Sequence, residues 1–200
     1  DERTPGWYRD RLGIPTASMF SNIITSDGKA SVSSGTYMEQ LLADWVAGKP
    51  VDNFRGNKFT EIGKEREPEI EALYRFLTDN ALEPSNFWFR NDDKLVGCSP
   101  DGLIDTDGLA EFKNPKASTM VHYLLKKTMP TSYIPQVQGQ LWVTGREWCD
   151  FMVYHQDIGQ KMCHVERDEA FITKLAGLVN KFTTKMLEKR VLLEPYRRAI

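Results

Sequence analysis

Ser99-Pro100-Asp101-Gly102 and Glu111-Phe112-Lys113 flank Asp107-Gly108, a dipeptide that marks a turn. A hairpin centred near Thr106 opposes Leu103 with Leu109 and Asp101 with Glu111. Side chains directly opposed across a ladder share a face, with Cβ atoms about 5 Å apart. Lys113 is two residues beyond Glu111, so strand alternation puts it on that face, while Phe112 points the other way into the core. Two carboxylates and one ammonium thus converge. Hard oxygen donors from two strands suit a divalent cation such as Mg²⁺, and the lysine could hold or polarise an attacking water or meet charge developing on a phosphate. The plainer reading of the same residues is a solvated strand face with an ion pair.

An acid-rich helix precedes this hairpin. The spacing of Ile62, Ile70, Leu73, Tyr74 and Leu77 predicts a helix from about Phe59 to Leu77. At about 100° per residue, Glu61, Glu65 and Glu69 fall away from that stripe, whereas Glu67 lies at the edge of the buried face. A carboxylate turned inward needs a partner. A cation shared with Asp101 and Glu111 is one such partner, and a salt bridge to an arginine is the other.

The elements that must hold these groups can be read from periodicity. Ser33 or Ser34 starts a helix carrying Tyr37, Leu41, Leu42, Trp45 and Val46, which Gly48 and Pro50 end. A polar loop over residues 50–57 follows. The runs FWFR, KLVGC, DGLI and LAEFK, from Phe87 to about Lys113, read as strands of a meander. Helices are expected at about Ala117–Lys127 and Ile134–Val143, strands at Trp148–His155 and Met162–Arg167, and a closing helix from about Asp168 to Lys189. Helices flanking a central mixed sheet make an α/β or α+β architecture.

With 200 residues, 40% of them hydrophobic and 27% charged, the chain is expected to form one domain with a substantial core. No apolar run is long enough to span a membrane, and no basic-then-apolar leader is visible at the N-terminus. Cys98, Cys149 and Cys163 form no CxxC pair, which points to reduced thiols and a cytoplasmic setting. His122, His155 and His164 are not spaced as zinc ligands. The net charge of −2 lacks the basic footprint of a nucleic-acid binder, although segregated charge could still build a basic channel.

These residues also carry a family likeness. Pro100-Asp101 with Glu111-Phe112-Lys113 resembles the PD-(D/E)xK nuclease motif. The chain as a whole is similar to the phage lambda exonuclease-like, viral-type alkaline exonucleases (YqaJ-type recombinases). The likeness extends to Arg11-Leu12-Gly13 with Thr16-Ala17-Ser18, to Gly63-Lys64 with Glu67, and to Cys98-Ser99-Pro100-Asp101-Gly102-Leu103. It continues through Gln136-Val137-Gln138 with Trp142-Val143-Thr144, and Glu166-Arg167-Asp168-Glu169.

The resemblance implies a single nuclease domain over residues 1–200 with a restriction-endonuclease-like core. It makes Asp101, Glu111, Glu67 and the Phe112 carbonyl ligands of Mg²⁺, two ions per site, with Mn²⁺ as substitute. Lys113 would activate the water. Arg11, Thr16, Ser18 and Ser99 would bind a 5′-phosphate, and Gln136 and Gln138 would hold DNA or a water. Read from the residues alone, Thr16 or Ser18 could instead cap the helix after them, and Arg11 could be an ordinary surface residue. The implied activity is a 5′→3′ exonuclease on linear double-stranded DNA, phage- or prophage-encoded, releasing 5′-mononucleotides. A homotrimeric ring and a single-strand annealing partner go with it. A restriction- or repair-type endonuclease on the same fold is the alternative.

Overall fold

The computed structural model describes residues 5–51 and 67–198. Helix α1 (Pro5–Arg11) leads through a turn to a 3-10 segment, Ala17–Asn22, and to α2 (Ser34–Ala47). Ser33 stands at the N-cap of α2, but its hydroxyl makes no capping bond, and Gly48 ends the helix at φ +68°. Helix α3 runs Glu67–Thr78. The first half of the expected 59–77 helix lies outside the described residues, as does most of the 50–57 loop.

Five short strands follow: β1 (Leu82–Glu83), β2 (Trp88–Phe89), β3 (Gly97–Cys98), β4 (Gly102–Ile104) and β5 (Gly108–Lys113). They do not form one meander. β2 and β3 pair in a separate two-stranded sheet, and β4 and β5 join a five-stranded sheet in the order β1-β4-β5-β6-β7. Short alternating runs show where strands are, but their partners are chosen by tertiary packing. β6 (Trp148–His155) runs parallel to β5, and all other pairs in this sheet are antiparallel. β7 starts at Gly159, earlier than the apolar pattern suggests, and ends at Glu166.

Helix α4 (Ala117–Leu124), a 3-10 turn at Thr131–Tyr133 and α5 (Ile134–Thr144) make the β5-to-β6 crossover. Helix α6 (Glu169–Leu193) closes the chain, its first turn capped by Asp168, which accepts from the Phe171 N–H at 2.9 Å.

The sheet separates two cores. Leu109, Cys149, Phe151 and Val153 face α2, α5, α6 and the 3-10 segment. Ala110, Phe112 and Met152 face Ile70 and Tyr74 of α3. β5 is thus buried on both sides, as a strand paired in parallel at the centre of a sheet should be. Its one acidic residue, Glu111, is only 2% exposed and needs explanation.

Candidate active site

The hairpin register is the one that alternation demands. Leu103 pairs with Leu109 and Gly102 with Ala110. The Asp101 N–H continues the ladder to the Ala110 carbonyl at 3.1 Å. The Asp101 carboxylate bends over the end of the ladder, where its Oδ2 accepts from the Phe112 N–H at 2.6 Å. That bond holds Asp101 beside the Glu111–Phe112 peptide. Gly102 is required here because a Cβ would lie 2.4 Å from the Leu82 side chain of β1. Asp101 also borders a cleft between the Glu71 face of α3 and the segment carrying Glu83.

Three donors meet on Glu111. Lys113 forms an ion pair with its Oε1, and the Gln136 Nε2 donates to the same oxygen at 2.6 Å. The Gln140 Nε2 donates to Oε2 at 2.6 Å. A buried carboxylate is costly without such partners, and here a cation and two amides supply them. Burial pulls the Lys113 ammonium toward its neutral form, but the negative charges of Glu111 and Asp101 outweigh that and push its pKa well above the ordinary lysine value. The ammonium also lies 5.7 Å from the centre of the Tyr133 ring.

Gln136 therefore lies against Glu111, and Gln138 does not. The Gln138 Nε2 donates to the Glu166 carbonyl and its Oε1 accepts from the Asp168 N–H, both at 2.8 Å. It pins the β7–α6 corner, away from Glu111. The helical period explains the exchange: residues 136 and 140 share a face, whereas 138 is about 200° from 136. Spacing by four residues was the available signal, and Gln140 is the residue that the Gln-x-Gln pattern hides.

The N-terminal segment lies along β3, two residues before Ser99. Thr16 forms a parallel bridge with Gly97, and the Gly97 N–H donates to the Pro15 carbonyl at 3.3 Å. Thr16 is buried and stands at the N-cap of the 3-10 segment without a side-chain capping bond. Its hydroxyl instead lies 3.3 Å from that of the exposed Ser18. The Arg11 guanidinium lies 5.7 Å from the centre of the Phe87 ring, and that ring packs directly over Gly97. Gly13, between Arg11 and Thr16, lets the chain pass close to α2. It holds φ +73°, and a Cβ there would lie 2.9 Å from the Trp45 Cβ. Arg11, Thr16 and Ser18 thus come to the strand that leads into Ser99 and Asp101.

The donor set suits a hard divalent cation: two carboxylates from adjoining strands, one buried, with the Phe112 peptide between them. Among the described residues no group of three His, Cys, Asp or Glu side chains is placed to hold a metal ion. Glu67 opens α3, but its side chain lies outside the described residues.

The profile of the YqaJ-like viral recombinase domain matches residues 6–147. The chain belongs to that family. As a YqaJ-like recombinase it is similar in structure to the alkaline exonuclease LHK-Exo from Laribacter hongkongensis, with TM-score 0.87 and 28% identity. That likeness covers 96% of this chain and 97% of that one. The same exonuclease in complex with dAMP gives TM-score 0.85 at 28% identity over the same shares. A phage-related exonuclease from Haemophilus somnus, 16% identical, shares the fold with TM-score 0.68 over 88% of this chain and 96% of that one. No curated protein matches the chain. The family and the likeness to LHK-Exo support a nuclease role on a PD-(D/E)xK-type core. Among the described residues no helix is long and apolar enough to cross a membrane.

Proposed function

We infer that this YqaJ-like recombinase is a Mg²⁺-dependent 5′→3′ exonuclease that degrades one strand of linear double-stranded DNA to 5′-mononucleotides. The observation that carries this is the hairpin register, which sets Asp101 and Lys113 against the buried Glu111. Glu67, Asp101, Glu111 and the Phe112 carbonyl would hold the metal, two ions per site, with Mn²⁺ a workable substitute. Bound there, the ions would stabilise the attacking and leaving oxygens of phosphodiester hydrolysis.

The chain's own groups do the rest. Lys113, kept protonated, places a fixed positive charge where a water and a phosphate oxygen must sit. Gln136 holds the ligand Glu111. Arg11, Thr16, Ser18 and Ser99 bind the terminal 5′-phosphate, a guanidinium matching phosphate oxygens in a bidentate way. Each cut regenerates a 5′-phosphate for the same pocket. That LHK-Exo has been captured with dAMP accords with mononucleotide release.

In this reading residues 1–200 act as one nuclease domain and assemble as a homotrimeric ring around the duplex. The 3′ strand left behind passes to a single-strand annealing protein. The setting is the cytoplasm of a bacterial host, from a phage or prophage gene. The test is digestion with Mg²⁺ of three duplexes: linear with 5′-phosphate, linear with 5′-hydroxyl, and covalently closed circular. Fast release of mononucleotides from the first, slower from the second and none from the third is expected. Cleavage of the circle would favour an endonuclease.

A further inference from the structure

Gln140 occupies a costly position. It lies in the wholly buried stretch of α5 from Val137 to Val143 and is 1% exposed, and among the described residues its own Oε1 has no hydrogen-bond partner. An apolar side chain of the same length would avoid an unpaired buried carbonyl. Among the described residues, the one side-chain bond of Gln140 runs from its Nε2 to Glu111 Oε2. The amide is accounted for only through Glu111, the buried carboxylate that it partners.

The Glu111 carboxylate shows what the amide does. A carboxylate offers about four lone-pair sites, two on each oxygen. On Oε1 both are taken, by the Lys113 ammonium and the Gln136 amide. On Oε2 one is taken, by Gln140, and among the described residues one is left. The terminal torsion of a glutamate is broad and two-fold, so donors on one oxygen alone would let the plane of the carboxylate swing. A third donor on the second oxygen stops that.

We propose that Gln140 is a positioning residue for the metal site: it fixes the plane of Glu111 and leaves Oε2 as the oxygen offered to a divalent cation. This rests on the reading of Glu111 as a ligand. Residues that orient a ligand without touching the metal characteristically change its affinity about 10–100-fold when removed. The sequence offers the same contrast within one helix: Gln138, two residues earlier, spends both ends of its amide on backbone and serves the fold.

The experiment uses Gln140→Met, which keeps the length and removes the donor, with Gln140→Leu as a second variant. Mn²⁺ binding by calorimetry without DNA should weaken about 10–100-fold. The half-activating Mg²⁺ concentration should rise by a similar factor, and kcat at saturating Mg²⁺ should largely recover. KM for DNA should not change, and Tm should shift by no more than a few degrees, since losing the donor to buried Glu111 is offset by losing the unpaired carbonyl. Mn²⁺ affinity within twofold of wild type would overturn the proposal. So would failure of both variants to fold, which would make the amide a packing requirement. Glu111→Ala in parallel separates the two levels. If it still binds Mn²⁺ and cleaves, the ligand reading itself fails. If it is inactive and does not bind while Gln140→Met matches wild type, only the role of Gln140 falls.

Discussion

Lys113 and Glu111 form an ion pair in which neither partner is ordinary. The carboxylate is buried under two amides, and the ammonium keeps its proton because two carboxylates face it. Without metal bound, those carboxylates hold its pKa above the usual 10.5, so the side chain is an ammonium. Its contribution is a fixed positive charge. Lys113→Ala should therefore lower kcat about 10²–10³-fold, the usual cost of one charge-stabilising contact, with DNA affinity nearly unchanged in a gel-shift titration. A variant that binds weakly but cuts at the normal rate would make Lys113 a backbone contact instead. Arg11 supplies the second test at this scale. Arg11→Ala should bring the rates on 5′-phosphorylated and 5′-hydroxyl ends together if the guanidinium reads the terminal phosphate as proposed. An unchanged ratio in single-turnover digestion would remove it from the end pocket. The acidic pair and the lysine were legible because strand alternation and turn chemistry depend on local sequence. Gln140 was not, since a motif written as Gln-x-Gln invites a period of two on an element whose period is 3.6.

At the scale of elements, the face of the sheet opposite the site carries a network that ties α3 to it. The Tyr74 hydroxyl donates to Asp150 Oδ2 at 2.7 Å and accepts from the Asn80 amide at 3.2 Å. His164 Nδ1 lies 2.8 Å from Asp150 Oδ1 and Nε2 lies 3.1 Å from a Glu166 oxygen. Tyr74→Phe would strip one donor from a buried carboxylate, a loss of about 1–3 kcal/mol. At about 2–4 °C per kcal/mol for a chain of this size, Tm should fall by several degrees. An unchanged melt would show that water replaces the phenol. The bond to Asp150 chiefly, and Glu166 after it, raises the pKa of His164, against a smaller opposing effect of burial. A raised folded pKa stabilises fully below the ordinary value of 6.5 and ceases to do so as pH climbs through the raised value. His164→Asn should thus cost most in Tm below about pH 6.5 and progressively less above it. The side chain is 51% exposed, so solvent screening holds the effect to under about 1 kcal/mol. Nothing in the sequence around His164 shows this network, because it is assembled from α3, β6 and β7 by the sheet register. β1 escaped for a related reason: two residues are too few for a period.

At the scale of the whole molecule, a net charge of −2 sets a problem that the site does not solve. A chain that neutralises few phosphates has little sequence-independent hold on DNA, and what hold it has weakens steeply with salt. A free subunit that meets few phosphates would let go after each cut. A closed ring around the duplex holds its substrate by topology, and charge need only guide the strand inward. The trimer proposed above therefore has kinetic consequences distinct from its mass. Light scattering should give three times the chain mass, and digestion begun on a labelled duplex should continue after excess unlabelled DNA is added. Raising salt between about 50 and 200 mM should slow the start of digestion far more than it shortens runs already under way. If the mass is that of one chain and runs stop when competitor DNA arrives, the ring is wrong and the site works as a distributive nuclease. If runs persist with a single-chain mass, enclosure of the duplex by a ring is not what retains it.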